Sequence, residues 1–142
     1  MRKFGLAALA ALGMLTAAGA AAAGEVVVNL DGAQARGGPL LVALQTREEF
    51  MQRGRGARVL TPVAGRNTVR FEGVPAGDYV VMAFHDENAN GRLDMDGYMP
   101  GEGWAMSGPP LRAAPSFDLL KVPVAEAGGE ITVALTYPHP AG

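Results

Sequence analysis

Apolar and polar residues alternate in short runs along most of the chain, the two-residue period of half-buried strands. Val26, Val28 and Leu30 share one face of 25–31, and after the Gly37-Gly38-Pro39 break a second apolar run covers 40–44. A weaker strand is expected over 58–63, where Pro62 suits a sheet edge because proline cannot donate to a ladder. Over 67–72 Val69 and Phe71 point one way and Thr68, Arg70 and Glu72 the other. The turn Val74-Pro75-Ala76-Gly77-Asp78 then feeds 79–84, an apolar run that predicts the central strand. Two more strands are expected over 117–124 and 131–137, the last with Ile131, Val133, Leu135 and Tyr137 on one face.

Thr46-Arg47-Glu48-Glu49 before Phe50 and Met51 has the form of a capping box and predicts one helix of about two turns, stopped by Gly54 and Gly56. Between 86 and 116 no period is usable, so the segment reads as a long ordered loop after the central strand. Seven strands and one short helix predict an all-β fold, a seven-stranded antiparallel β-sandwich.

Composition changes this picture at the N-terminus. Met1-Arg2-Lys3, the apolar run 4–20 and Ala21-Ala22-Ala23 have the form of a secretory signal peptide cleaved after Ala23, leaving a single domain over 24–142 in the periplasm or outside the cell. Removing Arg2 and Lys3 takes the basic residues from 12 to 10 against 14 acidic ones, a formal charge of about −4. With Lys121 the only remaining lysine, no nucleic-acid partner and no polybasic membrane patch are expected. After cleavage no apolar run approaches the ~18 residues of a transmembrane segment. The absence of Cys from all 142 residues excludes disulfides, zinc–thiolate sites and thiol catalysis.

Candidate chemistry concentrates in His85-Asp86-Glu87-Asn88-Ala89-Asn90-Gly91-Arg92-Leu93-Asp94, which spells D-x-N-x-N-G-x-x-D from Asp86. Alternate residues of a tightly wound loop can present oxygens to one centre, and Ca²⁺ takes six to eight of them at about 2.3–2.6 Å. Asp86, Asn88, Asn90 and Asp94 would bind through side chains and Arg92 through its carbonyl, while Gly91 permits the sharp turn. An EF-hand needs a bidentate Glu at its twelfth position, where this chain has Gly97, so further ligands are needed, with Asp96 and Glu102 nearest. The expected cofactor is therefore Ca²⁺ in a structural role, bound at about 10⁻⁴–10⁻³ M. The metal-free alternative is a rigid set of Asx turns. Four carboxylates, Asp86, Glu87, Asp94 and Asp96, repel one another there, which favours the cation.

The string Val74-Pro75-Ala76-Gly77-Asp78-Tyr79, then Phe84-His85-Asp86-Glu87-Asn88 with Asn90-Gly91 and Leu93-Asp94, then Pro100, Glu102-Gly103, Ser107 and Pro115-Ser116-Phe117, resembles the domain of unknown function 2141 family of small exported bacterial proteins. The resemblance runs from about Val26 to Tyr137. It implies a β-sandwich of immunoglobulin-like or transthyretin-like type and an extracytoplasmic location, but no particular reaction. The insert Met95-Asp96-Gly97-Tyr98-Met99 departs from the shorter spacing expected of the family.

Other chemistries are less well supported. His85 and Asp86 are strand neighbours facing opposite ways, Ser107 and Ser116 lack a nucleophile elbow, and His139 lies in the tail, so no enzyme is expected. Glu87 and Glu102 could be paired carboxylates, a pattern that almost any acidic loop offers. Trp104, the sole tryptophan, and Tyr98 form a candidate platform for a carbohydrate or protein ligand of the cell envelope. Met95, Met99 and Met106 with His85 raise a copper alternative.

Overall fold

The computed structural model describes residues 23–139. The expected signal peptide therefore lies outside the described residues except for Ala23, which begins β1 (Ala23–Ala33). Burial in this strand follows the alternation, with Val26, Val28 and Leu30 wholly enclosed. Leu40, Val42 and Leu44 are the buried set of β2 (Leu40–Gln45). After β3 (Ala57–Leu60), β4 (Gly65–Pro75) buries Val69, Phe71 and Val74 and exposes Thr68, Arg70 and Glu72. Tyr79, Val81 and Ala83 of β5 (Gly77–His85) complete the facing surface, and all of these sets join in one core.

Two sheets enclose that core. One has the order β10-β1-β4, where β10 is Gly128–Ala134. The other runs β3-β2-β5-β8, where β8 is Trp104–Met106, and β9 (Val122–Val124) pairs with the start of β5. The run 79–84 is thus flanked on both sides, as a central strand must be, and the Pro62-bearing segment lies at the sheet edge beside β3. Reciprocal backbone bonds of 2.9 and 2.8 Å between Trp104 and Thr136 stitch the sheets together at one side.

Three expectations need correction. The described residues form ten strands rather than seven, eight in the two facing sheets and two in a separate hairpin, because 86–116 is not strand-free. It contains a hairpin of β6 (Met95–Asp96) and β7 (Met99–Pro100), and then β8. Strands of two or three residues are too short to show an alternation. The pairing is also not wholly antiparallel, since β1 and β10 run parallel from Glu25↔Gly128 to Asp31↔Ala134. A hairpin imposes antiparallel pairing, whereas β10 is reached from β9 in the opposite sheet and carries no such constraint.

The helix is displaced. Thr46 N–H does donate to Glu49 Oε2 at 3.1 Å, half of the expected capping box. The chain then turns rather than winding on, because Gln45 takes its backbone groups. Gln45 Oε1 accepts from Met51 N–H at 3.1 Å, and its amide donates to the carbonyls of Gln52 and Arg55 at 2.9 and 3.0 Å. Among the described residues the one helical turn, α1 (Phe117–Leu120), instead replaces the first half of the strand expected over 117–124. Its Phe117 and Leu120 cover Val80 on the outer face of β5, so β5 is buried from both sides at that point.

Ser107 fastens this outer layer. Its buried hydroxyl accepts from Val81 N–H and donates to the Leu120 carbonyl, both at 2.9 Å. Ser107→Ala strands a donor and an acceptor together and should lower stability by about 2–3 kcal/mol. Urea denaturation checks this as a lower midpoint at unchanged slope, and an unchanged midpoint would rule the tie out. No helix among the described residues is long and apolar enough to cross a membrane.

Candidate functional site

β5 ends at His85, and the chain leaves the sheet through Asp86. Asp86 is only 2% exposed. Its Oδ1 accepts from Asn90 N–H at 3.2 Å and its Oδ2 from Gly91 N–H at 2.7 Å, so one carboxylate winds the loop around itself. The Asx residues repeat the device two residues on, Asn88 Oδ1 accepting from Asn90 N–H at 3.3 Å and Asn90 Oδ1 from Arg92 N–H at 2.9 Å. Ala89 and Gly91 adopt φ of 55° and 76°, the left-handed backbone that turns the chain inward.

The loop closes on Asp94. Asn90 Nδ2 donates to its two oxygens at 2.8 and 3.0 Å, and Asn88 Nδ2 donates to Oδ2 as well. These amides hold the Asp94 carboxyl below its ordinary value. From eight residues further on, Glu102 enters the same loop. Its Oε1 accepts from Glu87 N–H at 3.1 Å and its Oε2 from Asp94 N–H at 3.2 Å. Burial raises the Glu102 carboxyl above its usual range, and the charges of Asp94 and Asp86 add to the rise.

Five of the expected ligand side chains, Asp86, Asn88, Asn90, Asp94 and Glu102, are thus linked in one bonded cluster, and Arg92 contributes its backbone within it. Their oxygens face backbone and side-chain amides, and among the described residues no group of three or more His, Asp or Glu stands in ligating arrangement. A carboxylate oxygen has two lone pairs, so Asp86 and Glu102 keep acceptor capacity beyond the amides they hold. Glu87 pairs with Arg36 at 2.7 Å instead, and the exposed Asp96 lies 3.9 Å from His139. Only Glu102, of the two additional ligands considered, reaches the loop.

His85 is wholly buried on the inner face, its Nδ1 2.8 Å from the Tyr137 hydroxyl, which also accepts from Gln34 N–H at 3.1 Å. Met99 is exposed on β7 and does not join it. The copper grouping expected around His85 is therefore not assembled.

A groove of about 570 Å³ runs beside the loop on the outer face of β2, β5 and β8. Loop residues 91–95 form one wall, Met51 to Gly54 another, and Met82, Phe84, Trp104 and Met106 the floor. Trp104 is half-buried here, whereas Tyr98, wholly exposed at the tip of the β6–β7 hairpin, is not part of the lining. The expected Tyr98–Trp104 platform therefore reduces to Trp104 beside Phe84. Pattern reading missed Met82 and Phe84, although an apolar run over both faces of a strand signals that its second face is covered or used.

The family described as an uncharacterized protein conserved in bacteria, domain of unknown function 2141, matches residues 28–132. No curated protein and no solved structure matches the chain.

Proposed function

Because that match spans most of its length, the chain belongs to the domain of unknown function 2141 family, and on that footing we propose that it is an exported, non-enzymatic β-sandwich domain with a structural Ca²⁺ loop. Asp86, Asn88, Asn90, Asp94, Glu102 and the Arg92 carbonyl supply the ligands. The observation that carries this reading is Glu102, which reaches from eight residues downstream of Asp94 and adds a second buried carboxylate, besides Asp86, to a loop whose Asn88 and Asn90 are exposed. These two and Asp94 repel one another, and a divalent cation converts that repulsion into attraction. The cation would hold loop residues 91–95 against the sheet and so fix one wall of the groove. Parallel pairing of the first and last strands supports an immunoglobulin-like or transthyretin-like sandwich, and the N-terminal pattern supports periplasmic or secreted placement.

Calorimetric titration of Ca²⁺ into chelator-treated protein, beside Asp86→Asn/Asp94→Asn, tests the reading. Saturable heat at about 10⁻⁴–10⁻³ M in the native protein and none in the variant is the expected result. Absence of heat up to several millimolar would leave the loop as a metal-free set of Asx turns. The groove then carries the second reading, a binding module for an envelope protein or carbohydrate, favoured by the half-buried Trp104 on its floor.

A further inference from the structure

The groove floor is built from two cross-strand pairs. Met82 faces Met106, and Phe84 faces Trp104, in the antiparallel β5–β8 ladder. Flanking bonds run from Ser107 N–H to the Val81 carbonyl at 2.9 Å and from His85 N–H to the Gly103 carbonyl at 2.7 Å. The two groove pairs therefore occupy non-hydrogen-bonded positions, where facing side chains approach most closely. Met51 and Met95, 57% and 56% exposed, complete the lining from the two loop walls. No Cys or His lines the groove.

We propose that this groove binds a soft monovalent cation, Cu(I), through the thioethers of Met82, Met106, Met51 and Met95, with the Trp104 indole beside it. Thioethers are soft ligands that suit Cu(I) and bind hard cations poorly. An indole face adds a favourable electrostatic contact to a cation placed over it. Strand propensity does not account for the paired methionines, since β-branched and aromatic residues suit a pleated surface better. Met82 and Met106 are half-buried and packed on the Phe117–Leu120 cluster, which restricts two of the four side chains. Their partners on the walls are exposed and flexible enough to close over an ion. The chain would then separate two cations by donor type, oxygen in the loop and sulfur in the groove. Its sulfur donors are distinct from the Ca²⁺ ligands, although Met95 stands on the wall that the Ca²⁺ loop forms.

Trp104 is the only tryptophan in the sequence, which makes the test direct. Ag⁺, a stand-in without redox chemistry, is titrated into the full chain in chloride-free buffer while indole fluorescence is followed. Quenching should saturate at a single equivalent, and Cu(I) kept reduced should compete with Ag⁺ for the site. Losing outer-shell support costs a metal site about 10–100-fold, so losing two sulfur ligands in Met82→Leu/Met106→Leu should cost at least that. Because these two also pack against the core, Met51→Leu/Met95→Leu provides a variant altered only at exposed side chains and should likewise weaken Ag⁺ binding. Absence of saturable quenching, equal affinity in either double variant, or the same response to Ca²⁺ would overturn the proposal and leave an apolar groove alone.

Discussion

Asp86→Ala should lower the stability of the chain by about 2–4 kcal/mol and remove any Ca²⁺-dependent rise in its melting temperature. Both carboxylate oxygens are occupied by loop amides, Asn90 N–H and Gly91 N–H, at a position that is 2% exposed. Alanine leaves both donors without a partner, and each such loss costs about 1–3 kcal/mol unless water enters. Asp86→Asn keeps one acceptor oxygen and should fall between the native protein and alanine. Metal linkage separates the two roles of this side chain. At ten times the dissociation constant Ca²⁺ should add about 1.4 kcal/mol to the native protein and nothing to either variant. Thermal unfolding with Ca²⁺ and with chelator measures both effects, and a variant that retained the full Ca²⁺ increment would remove Asp86 from the ligand set.

Where one face of a strand is buried and the other wet, the sequence is sufficient to place it. Val26-Val28-Leu30 and Val69-Phe71 sit on the core as their alternation requires. Val133 and Leu135 are buried with Ile131 and Tyr137 packed at their flanks, so the face expected at 131–137 forms although its strand begins earlier, at Gly128. Such patterns succeed because one burial decision fixes every second residue. They fail where a single long-range contact decides the local structure. Gln45 lies outside the expected capping box, yet its three bonds to 51–55 are what turn that segment away from a helix. Phe117 and Leu120 are spaced for one helical turn, but residues distant in sequence, Val80 beneath them and Ser107 on the Leu120 carbonyl, make the turn preferable to a strand.

The candidate site was legible to a similar degree. Spacing alone picked out Asp86, Asn88, Asn90 and Asp94, because their side chains act over two to six residues and their partners are local. Glu102 could be named only as an acidic residue nearby, and Glu87 could not be told apart from it. The distinction is made by Arg36, 51 residues upstream, which withdraws Glu87 at 2.7 Å while Glu102 turns into the loop. The groove was hidden for the same reason. Its floor depends on the Met82↔Met106 register, and β8 gives no alternation in three residues.

Gly38→Ala should be among the most damaging single-methyl changes in the chain, at about 2–5 kcal/mol. Gly38 lies before β2 with φ of 84°, and a β-carbon there would stand 1.9 Å from the Asp86 carbonyl oxygen and 2.8 Å from its carbon. Left-handed backbone costs a non-glycine residue about 1–2 kcal/mol, and overpacking against a fixed neighbour adds about 1–3. Backbone rather than a flexible side chain is the obstacle, so relief must come from moving Asp86. That residue is held by its own N–H bond to the Pro39 carbonyl at 2.8 Å and by the loop amides on its carboxylate. Strain at Gly38 is therefore transmitted to the candidate metal loop, and Ca²⁺ affinity should fall together with stability. Gly54→Ala separates the terms, because Gly54 has φ of 75° with nothing within 4 Å of the added carbon. It should lose only the backbone share, about 1–2 kcal/mol, and keep the loop's affinity. Urea denaturation of the two variants measures the difference. Equal losses at both positions would mean that the close approach of Gly38 to Asp86 places no constraint on the loop.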